Sequence, residues 1–349
     1  MHGRALLLLR AGLATAVAVA LVGAVWLMAS GTRTPEATRT KPAQAARAAA
    51  TVSPKSIAKN RAAAIDQAAR NRSQSLFDLR KKAAARSKEL SQYASFTYAT
   101  FNGLGASHTG GHGDRARMAA GSVRGRWAGQ ILSSYHVDVA SLQEWQSSQS
   151  AAFRASYGGT YETYPSSSRG YIGQNTVAWR RDRFELVRAE TRSYPYFHGK
   201  MVPYPLVLLK DKASGVEFWV ASYHNPFFKQ NVGWKHKAVQ MQASDARALL
   251  AQDDHAPLIV GGDMNDRAAY FCAYAGSAPM HAANGGSTSG GCRVPALPRP
   301  YGFDWIMGSP GVAFSGYGYN HGGLVASTSD HPIVYTHVKV WRGDRAPLD

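Results

Sequence analysis

Acidic residues are scarce in this sequence. It has 22 Asp and Glu against 40 Lys and Arg among 349 residues, so its formal net charge is +18 at pH 7. This balance excludes a strongly acidic protein and favours contact with an anionic surface or polymer, such as anionic lipid, wall polymer or nucleic acid. Residues 1–93 hold 16 Lys and Arg against only 4 Asp and Glu. Most of the excess therefore predicts a basic tether rather than a basic groove.

Cysteine is almost absent. Cys272 and Cys292 are the two cysteines, and they enclose a stretch rich in Gly, Ser and Ala. An isolated pair that closes such a loop predicts a disulfide in an oxidising compartment. Two unpaired thiols are the alternative.

Charge is also missing from one long run near the N-terminus. Residues 11–30 contain no charged side chain and follow Arg4 and Arg10, which predicts that residues 1–30 are a signal peptide or a membrane anchor. Basic residues after the run argue against export. The short basic start before the apolar run still favours export. We therefore expect an extracytoplasmic protein that is either secreted or anchored to the membrane by this one segment.

The next 60 residues have little hydrophobic patterning. Residues 31–52 are rich in Thr, Pro and Ala and are typical of a disordered linker. Ser53-Pro54 resembles a helix start, and residues 53–93 predict a basic, Ala-rich helix or stalk. A helix that binds a partner or lies on a membrane is the alternative.

Strand patterns dominate from Ser95 onward. They occur at 96–101, 137–142, 176–179, 184–187, 204–209, 216–223, 258–260 and 332–340, with helical patterns at 123–135 and 234–251. Regular crossover helices between strands are few, which disfavours a Rossmann fold and a TIM barrel. The pattern predicts one domain, residues 94–345, of two packed sheets flanked by helices.

Polar side chains follow several of these strands directly. They are Asn102, Glu144, His224, and Asp263 with Asn265. A rigid sheet holds residues at its strand ends accurately, so such positions suit catalytic groups. Taken alone, Asn102 is as typical of a turn before Gly103 as of a functional site, and Glu144 is more typical of a surface salt bridge than of a functional site.

Together with Asp304, Asp330 and His331 later in the chain, these polar residues have the types of side chain that indicate metal chemistry. Glu144, Asp330 and Asn102 offer the oxygen ligands that Mg²⁺ prefers, with Mn²⁺ or Ca²⁺ as alternatives. His331 suits proton transfer or a hydrogen bond to a phosphoryl oxygen. Asp304 is the candidate carboxylate that would fix the tautomer of His331.

The order of these motifs resembles the endonuclease/exonuclease/phosphatase superfamily, which includes DNase I and the abasic-site endonucleases. The resemblance covers residues 95–341. It implies an α/β fold, a four-layer sandwich of two mostly antiparallel sheets flanked by helices, and in-line attack of water on phosphorus. The matching motifs are Asn102, Glu144 in LQE, His224 in YHNP, Asp263 and Asn265 in GDMN, Asp304 in FDWI, and Asp330 and His331 in SDH.

The resemblance also implies a function for each residue. Glu144 would be the principal metal ligand, assisted by Asn102 and Asp330. Asp263 would orient or deprotonate the attacking water, and Asn265 would contact the phosphate. Asp304 and His331 would form an orienting pair at the scissile group, and His224 would be a second acid/base or phosphate contact.

The chain departs from the family where DNase I-like members place a carboxylate partner for the histidine. Gln174 and Asn175 stand there instead, which puts a second acid in doubt and makes Asn175 a candidate substrate contact. The loop from 104 to 114 is typical of a flexible rim with His108 as a phosphate contact; a transition-metal site is the alternative. Arg115 and Arg117 are further candidate phosphate contacts, as are Arg124 and Arg126, although such arginines are often merely solvated.

The sequence thus predicts an exported, metal-dependent phosphodiesterase that cleaves DNA or RNA and acts as a monomer without a protein partner. A phospholipid, sphingomyelin or phosphoinositide hydrolase at a membrane surface is the alternative. A third hypothesis is a module that binds anionic polymers and retains an idle site.

Overall fold

Residues 53–90, 92–111, 113–166, 174–227, 229–252 and 255–343 are described by a computed structural model. The chain divides into two units, residues 1–67 and 68–349. The predicted apolar segment and linker lie outside the described residues. In the part of the chain that the structure describes, no helix is both long and apolar enough to cross a membrane.

Helix α1 spans Pro54–Leu90. Ser53 begins it as the sequence predicts, because its Oγ accepts a hydrogen bond of 3.3 Å from the amide of Ser56. Its apolar side chains, such as Ile65 and Phe77, are exposed. The helix is present, while its function as a stalk stays a prediction.

Twelve strands occur in the described residues. In chain order they are β1 (Tyr93–Asn102), β2 (Val139–Gln143), β3 (Tyr161–Tyr164), β4 (Asn175–Arg180), β5 (Phe184–Pro195), β6 (Met201–Asp211), β7 (Glu217–His224), β8 (Leu258–Asp263), β9 (His281–Ala282), β10 (Asp304–Gly308), β11 (Val312–Asn320) and β12 (Ile333–Trp341). The further helices are α2 (Gly121–Ser134), α3 (Ser147–Tyr157), α4 (Val232–Leu250), α5 (Ala268–Ser277) and α6 (Leu324–Thr328).

The strands form two six-stranded sheets. The first has the order β11-β12-β1-β2-β4-β3, and the second has the order β5-β6-β7-β8-β10-β9. Each sheet contains one parallel pair, β1 with β2 and β7 with β8, and the other neighbours are antiparallel. The predicted pair of mostly antiparallel sheets is therefore confirmed.

Alternating side chains along the strands separate the layers. On β1, Phe96 and Tyr98 pack in the core between the two sheets, whereas Ala99 and Phe101 pack against side chains of α2 and α3. On β8, Val260 packs in the core that includes side chains of α4 and α5. This period of two gives four layers, with helices on both outer faces.

A disulfide joins Cys272 on α5 to Cys292, as predicted. The enclosed loop contains the short strand β9 and is otherwise mostly irregular. A cross-link that closes a loop of 20 residues restricts the unfolded chain and contributes about 3 kcal/mol to stability.

Candidate active site

The two parallel strand pairs bring the predicted polar residues together. Parallel strands end at the same edge of a sheet, so Asn102 at the end of β1 lies beside Glu144 just after β2. In the second sheet, His224 at the end of β7 lies beside Asp263 at the end of β8. Asp304 begins the antiparallel strand β10 directly opposite Asp263.

Two glycines let the chain reach Asp263. A Cβ on Gly261 would lie 2.4 Å from the Tyr98 hydroxyl of the facing sheet. A Cβ on Gly262 would lie 2.1 Å from the carbonyl oxygen of Tyr223 on β7. Neither contact is sterically possible, so the Gly-Gly pair is required for the close approach of β8 to its neighbours.

Asn102 connects the acids of the two sheets. Its Nδ2 donates to Glu144 Oε1 and Asp263 Oδ2, both at 3.0 Å, and its Oδ1 accepts from the amide of Leu104 at 3.0 Å. The residue is fully buried behind these carboxylates. In this orientation its oxygen binds the backbone and its nitrogen contacts the acids, and its predicted contact with the metal stays a prediction.

Glu144 is held as a carboxylate. Burial alone would raise its pKa, but nearby His224, the hydrogen bond from Asn102 and the amide of Gly105 lower it. The Gly105 amide donates to Oε2 at 2.7 Å. Glu144 has φ = 54°, in the left-handed region that residues with side chains rarely adopt. Such strain is typical of functional sites.

Asp330 is the second predicted acidic ligand. Its Oδ2 accepts from Arg115 Nη2 at 3.2 Å, and its buried Oδ1 has no hydrogen-bond partner among the described residues. Glu144, in contrast, forms no ion pair with a Lys or Arg among these residues. Two carboxylates on one cleft, one with a buried unpaired oxygen, have the chemistry that a hard divalent cation requires.

His331 and Asp304 form the predicted pair. His331 Nδ1 lies 3.0 Å and 3.2 Å from the two carboxylate oxygens of Asp304, which is buried. Burial would lower the pKa of His331, but the negative charges of Asp304 and Asp263 together raise it well above its ordinary value. We therefore expect His331 to be protonated at neutral pH, with its Nε2 able to donate into the cleft.

Asp263, Asp304 and His331 also lie close enough to hold an ion, with one ligand atom from each within 4.8 Å of the others. His331 Nδ1 and the carboxylate of Asp304 are hydrogen-bonded to each other, whereas His331 Nε2 lies 3.6 Å from Asp263 Oδ2. The predicted binding of the cation by Glu144 and Asp330 stays a prediction.

Asp263 lies at the centre of the polar cluster. Its Oδ1 accepts from the amide of Asn265 at 2.9 Å, while Oδ2 lies 3.6 Å from Nε2 of both His224 and His331. Asn265 also has a positive φ, 48°, and its Nδ2 donates to the Asn225 carbonyl at 2.9 Å. Its predicted contact with phosphate stays a prediction.

His224 faces the same carboxylates. Besides its approach to Asp263, its Nε2 lies 3.9 Å from Glu144 Oε1, and its Nδ1 lies 3.5 Å from the Tyr196 hydroxyl. Tyr204 fixes the backbone here by donating to the His224 carbonyl at 2.6 Å. His224 therefore lies in the site, and its acid/base function or phosphate contact stays a prediction.

A cleft of about 650 Å³ is lined by Glu144, His224, Asp263, Asn265, Asp330 and His331, with Asn102 and Asp304 buried behind it. His108 and Arg115 lie on its wall as predicted, whereas Arg117 is exposed and not part of the lining. Asn175 is buried, and Gln174 lines the cleft in its place. Tyr301 and Phe303 also line the cleft, although the sequence analysis did not predict them as site residues. Their position just before Asp304 in the chain is the one sequence feature that could have indicated them.

Arg124 was among the predicted phosphate contacts, and the structure shows otherwise. It is fully buried and donates to the carbonyl oxygens of Gly103 and Thr328, with further bonds to Ala119, Gly105 and Thr109. Its guanidinium therefore stabilises the loop that carries His108 and Arg115.

Solved structures share this fold. A mannosyl-6-phosphatase from Bacteroides thetaiotaomicron is 16% identical, with a TM-score of 0.53, covering 70% of this chain and 99% of that one. TDP2 of D. rerio, complexed with a single-strand DNA product, is 17% identical with a TM-score of 0.53, covering 70% and 99%. The human Nocturnin catalytic domain with bound sulfate is 15% identical with a TM-score of 0.53, covering 70% and 95%.

Sequence comparison with curated proteins gives no match. The sequence model of the Endonuclease/Exonuclease/phosphatase family matches residues 99–331, which include every residue of the polar cluster. Enzymes of this family use divalent metals to hydrolyse phosphoester bonds. The chain belongs to the Endonuclease/Exonuclease/phosphatase family and is a phosphoester-hydrolysing enzyme.

Proposed function

We propose that the protein is a divalent-metal-dependent phosphodiesterase that cleaves DNA or RNA. One observation carries this proposal. Glu144, Asp330, Asp263 and His331 line the same cleft, and Asp304 is hydrogen-bonded to His331. This arrangement has separate groups for binding a cation, orienting water and contacting a phosphoryl oxygen.

Glu144 and Asp330 would hold the cation, with Mg²⁺ as the first candidate and Mn²⁺ or Ca²⁺ as alternatives. When bound, the cation neutralises charge that develops on the phosphoryl group. Oxygen ligands of this type, together with several waters, are what Mg²⁺ requires. Asn102 keeps both Glu144 and Asp263 in position from behind.

The remaining groups act directly on the reactants. Asp263 Oδ2 orients the attacking water and accepts its proton. The water oxygen forms the new P–O bond in line with the P–O bond that breaks, and the leaving oxygen takes up a proton from solvent. Protonated His331, fixed by Asp304, donates from Nε2 to a phosphoryl oxygen. Hydrogen bonds to an ionised oxygen in a site with little water contribute more than in bulk solvent, so this contact lowers the barrier.

Nucleic acid fits the lining of the cleft. Tyr196, Phe197 and Phe227 lie in its lining with Tyr301 and Phe303, and planar aromatic side chains stack with bases of any sequence. Arg115 adds a positive charge beside them, which suits a phosphate chain. TDP2 of D. rerio, which shares the fold, was crystallised with a single-strand DNA product.

A phospholipid phosphodiesterase at a membrane surface is the second candidate. Phe227, on the lining of the cleft, is 48% exposed, and Trp234, which packs against Gly199, is 44% exposed. Large apolar side chains exposed near a catalytic cleft are also typical of enzymes that act on lipid.

We further propose an extracytoplasmic location, either secreted or anchored by residues 1–30. The disulfide between Cys272 and Cys292 supports this location, since disulfides persist in oxidising compartments.

A panel of phosphoesters tests the function. The full chain would be incubated with DNA, RNA, phosphatidylcholine, sphingomyelin and phosphoinositide vesicles, and p-nitrophenyl phosphate, each with Mg²⁺, Mn²⁺ or Ca²⁺. We expect acid-soluble nucleotides from DNA or RNA, and none with EDTA. The Glu144→Gln and Asp263→Asn variants, purified identically, exclude a contaminating nuclease because each should lose at least about 10²-fold in kcat/KM. Release of phosphocholine or inositol phosphate without nucleotide release would instead establish the second candidate.

A further inference from the structure

His108 and Asp114 form a second histidine–carboxylate pair at the mouth of the cleft. His108 ends a short 3-10 turn, Ala106–His108, and its ring lines the cleft. Its Nδ1 lies 2.6 Å from Asp114 Oδ1. Arg115 holds that carboxylate from the other side, with Nη1 donating to Asp114 Oδ2 at 2.8 Å.

This contact fixes how the ring presents its other nitrogen. A carboxylate at Nδ1 places the proton there, so in the neutral ring Nε2 carries the free lone pair. Nε2 lies 3.8 Å from Glu144 Oε2. The lone pair is therefore close to the carboxylate that is the principal candidate for binding the cation.

The separation of 3.8 Å between these two atoms is too long for a hydrogen bond. It is close to the spacing of two ligands on one ion, because bonds of about 2.1 Å place neighbouring ligand atoms about 3.0–3.4 Å apart. The His108 side chain is 43% exposed, so it has room to move the remaining few tenths of an ångström. Metal-binding histidines usually have a carboxylate or carbonyl at the other nitrogen, as His108 does.

We infer that His108 binds the catalytic cation together with Glu144, and that Asp114 is its positioning residue. The inference rests on the cation site of the proposed function and adds one nitrogen ligand to it. Imidazole binds Mn²⁺, Co²⁺ and Zn²⁺ in preference to Mg²⁺. The site therefore selects a transition metal more strongly than an all-oxygen site would.

The competing function of His108 is a contact with the phosphate of the substrate. That function requires Nε2 to donate a hydrogen bond, whereas metal binding requires its lone pair. The two functions therefore predict different effects of the same substitution on metal affinity.

Electron paramagnetic resonance of Mn²⁺ with the full chain separates them. The spectrum gives the Kd for Mn²⁺, and pulsed measurements detect a ¹⁴N nucleus bound to the ion. His108→Gln should weaken Mn²⁺ binding about 10- to 100-fold and remove the ¹⁴N coupling, while Mg²⁺ affinity, measured by competition, changes less than about threefold. Asp114→Asn should weaken Mn²⁺ binding by a smaller factor and keep the coupling.

His337→Gln is the matched control. This exposed histidine lies on β12 and contacts Thr97, outside the cleft lining, so its substitution should leave the Mn²⁺ affinity and the ¹⁴N coupling unchanged. Circular dichroism of each variant confirms that the fold is kept.

An unchanged Mn²⁺ affinity in the His108→Gln variant, with the ¹⁴N coupling still present, would overturn the inference. A raised KM with unchanged Mn²⁺ affinity would also overturn it, in favour of a phosphate contact. Glu144→Gln distinguishes this failure from that of the proposed function. If Glu144→Gln abolishes Mn²⁺ binding while His108→Gln does not, only the nitrogen ligand is wrong; if neither affects it, the cation site itself is wrong.

Discussion

The side-chain nitrogen of Asn102 donates equal hydrogen bonds of 3.0 Å to Glu144 Oε1 and Asp263 Oδ2. One neutral donor thus joins an acid that would bind the cation to an acid that would orient water. Neighbouring carboxylates repel each other and raise each other's pKa when no donor lies between them. The hydrogen bond from Asn102 lowers the pKa of Glu144, and the same amide nitrogen holds the Glu144 and Asp263 carboxylates at a fixed distance from each other.

Replacing Asn102 distinguishes a donor from a metal ligand. Asn102→Ala removes two hydrogen bonds to charged groups, each worth about 1.5–3 kcal/mol, so we expect kcat/KM to fall at least about 100-fold. Asn102→Asp should be no better, because it places a third carboxylate directly beside those of Glu144 and Asp263. Kinetics at saturating metal check this expectation. Tighter metal binding and higher activity in Asn102→Asp than in Asn102→Ala would show that the residue is a ligand after all.

Arg124 and Arg117 differ in burial although they are close in the sequence. Arg124 donates to four backbone carbonyls and to Thr109, and Arg117 is exposed. Arg124→Met should leave buried carbonyl groups unpaired and lower the free energy of unfolding by at least about 3 kcal/mol. Arg117→Met should change it by less than about 0.5 kcal/mol. Urea denaturation followed by circular dichroism measures both; equal midpoints would contradict the structural function of Arg124.

The positions of the acids were predictable because they depend on strand ends. A polar residue directly after an apolar strand lies at the rim of a sheet, and parallel pairing places two such residues side by side. Glu144 and Asp263 each follow this rule, and so does His224. Asp304 begins a strand and Asp330 precedes one, so this rule does not cover them; their side-chain chemistry and the order of the family motifs predicted them.

The direction in which a side chain points was not predictable. Asn102 has oxygen and nitrogen on the same carbon, and only the position of the Leu104 amide decides which of them contacts the acids. Arg124 and Arg117 have the same chemistry in the sequence, and only tertiary packing shows that one is surrounded by carbonyl groups. Contacts of this kind join residues far apart in the chain, so local patterns do not contain them.

Several elements also escaped prediction. Helix α3 starts with polar residues, and its first turn is held by hydrogen bonds between Gln146 and Gln149 rather than by an apolar stripe. Strand β11 contains Gly316 and Gly318 at an irregular register with β12. Glycine lowers strand propensity, so β11 depends on its pairing with β12 rather than on local sequence.

The disulfide should stabilise the domain measurably. Cys272→Ser with Cys292→Ser removes the cross-link, and we expect the free energy of unfolding to fall by about 3 kcal/mol because the unfolded chain gains freedom. Denaturation of the wild type under reducing conditions should give the same midpoint as the double variant. A reductant that also shifts the double variant would show that some other effect is being measured.

The pH dependence of activity tests the pair formed by Asp304 and His331. Burial opposes protonation of His331, but the carboxylates of Asp304 and Asp263 raise its pKa well above the ordinary value. If protonated His331 contacts the phosphoryl group, kcat/KM declines as the pH rises through this raised pKa. Asp304→Asn removes a negative charge at 3.0 Å, so the pKa of His331 falls, the decline moves to lower pH, and kcat falls about 10²- to 10⁴-fold. Tyr301→Phe is the control. It keeps the ring beside His331 without changing a charge, so the decline should stay at the same pH as in the wild type. The measurement is the profile of kcat/KM against pH for the wild type and the two variants, recorded with the same metal. A decline at the same pH in Asp304→Asn and the wild type would mean that His331 does not act as the protonated group.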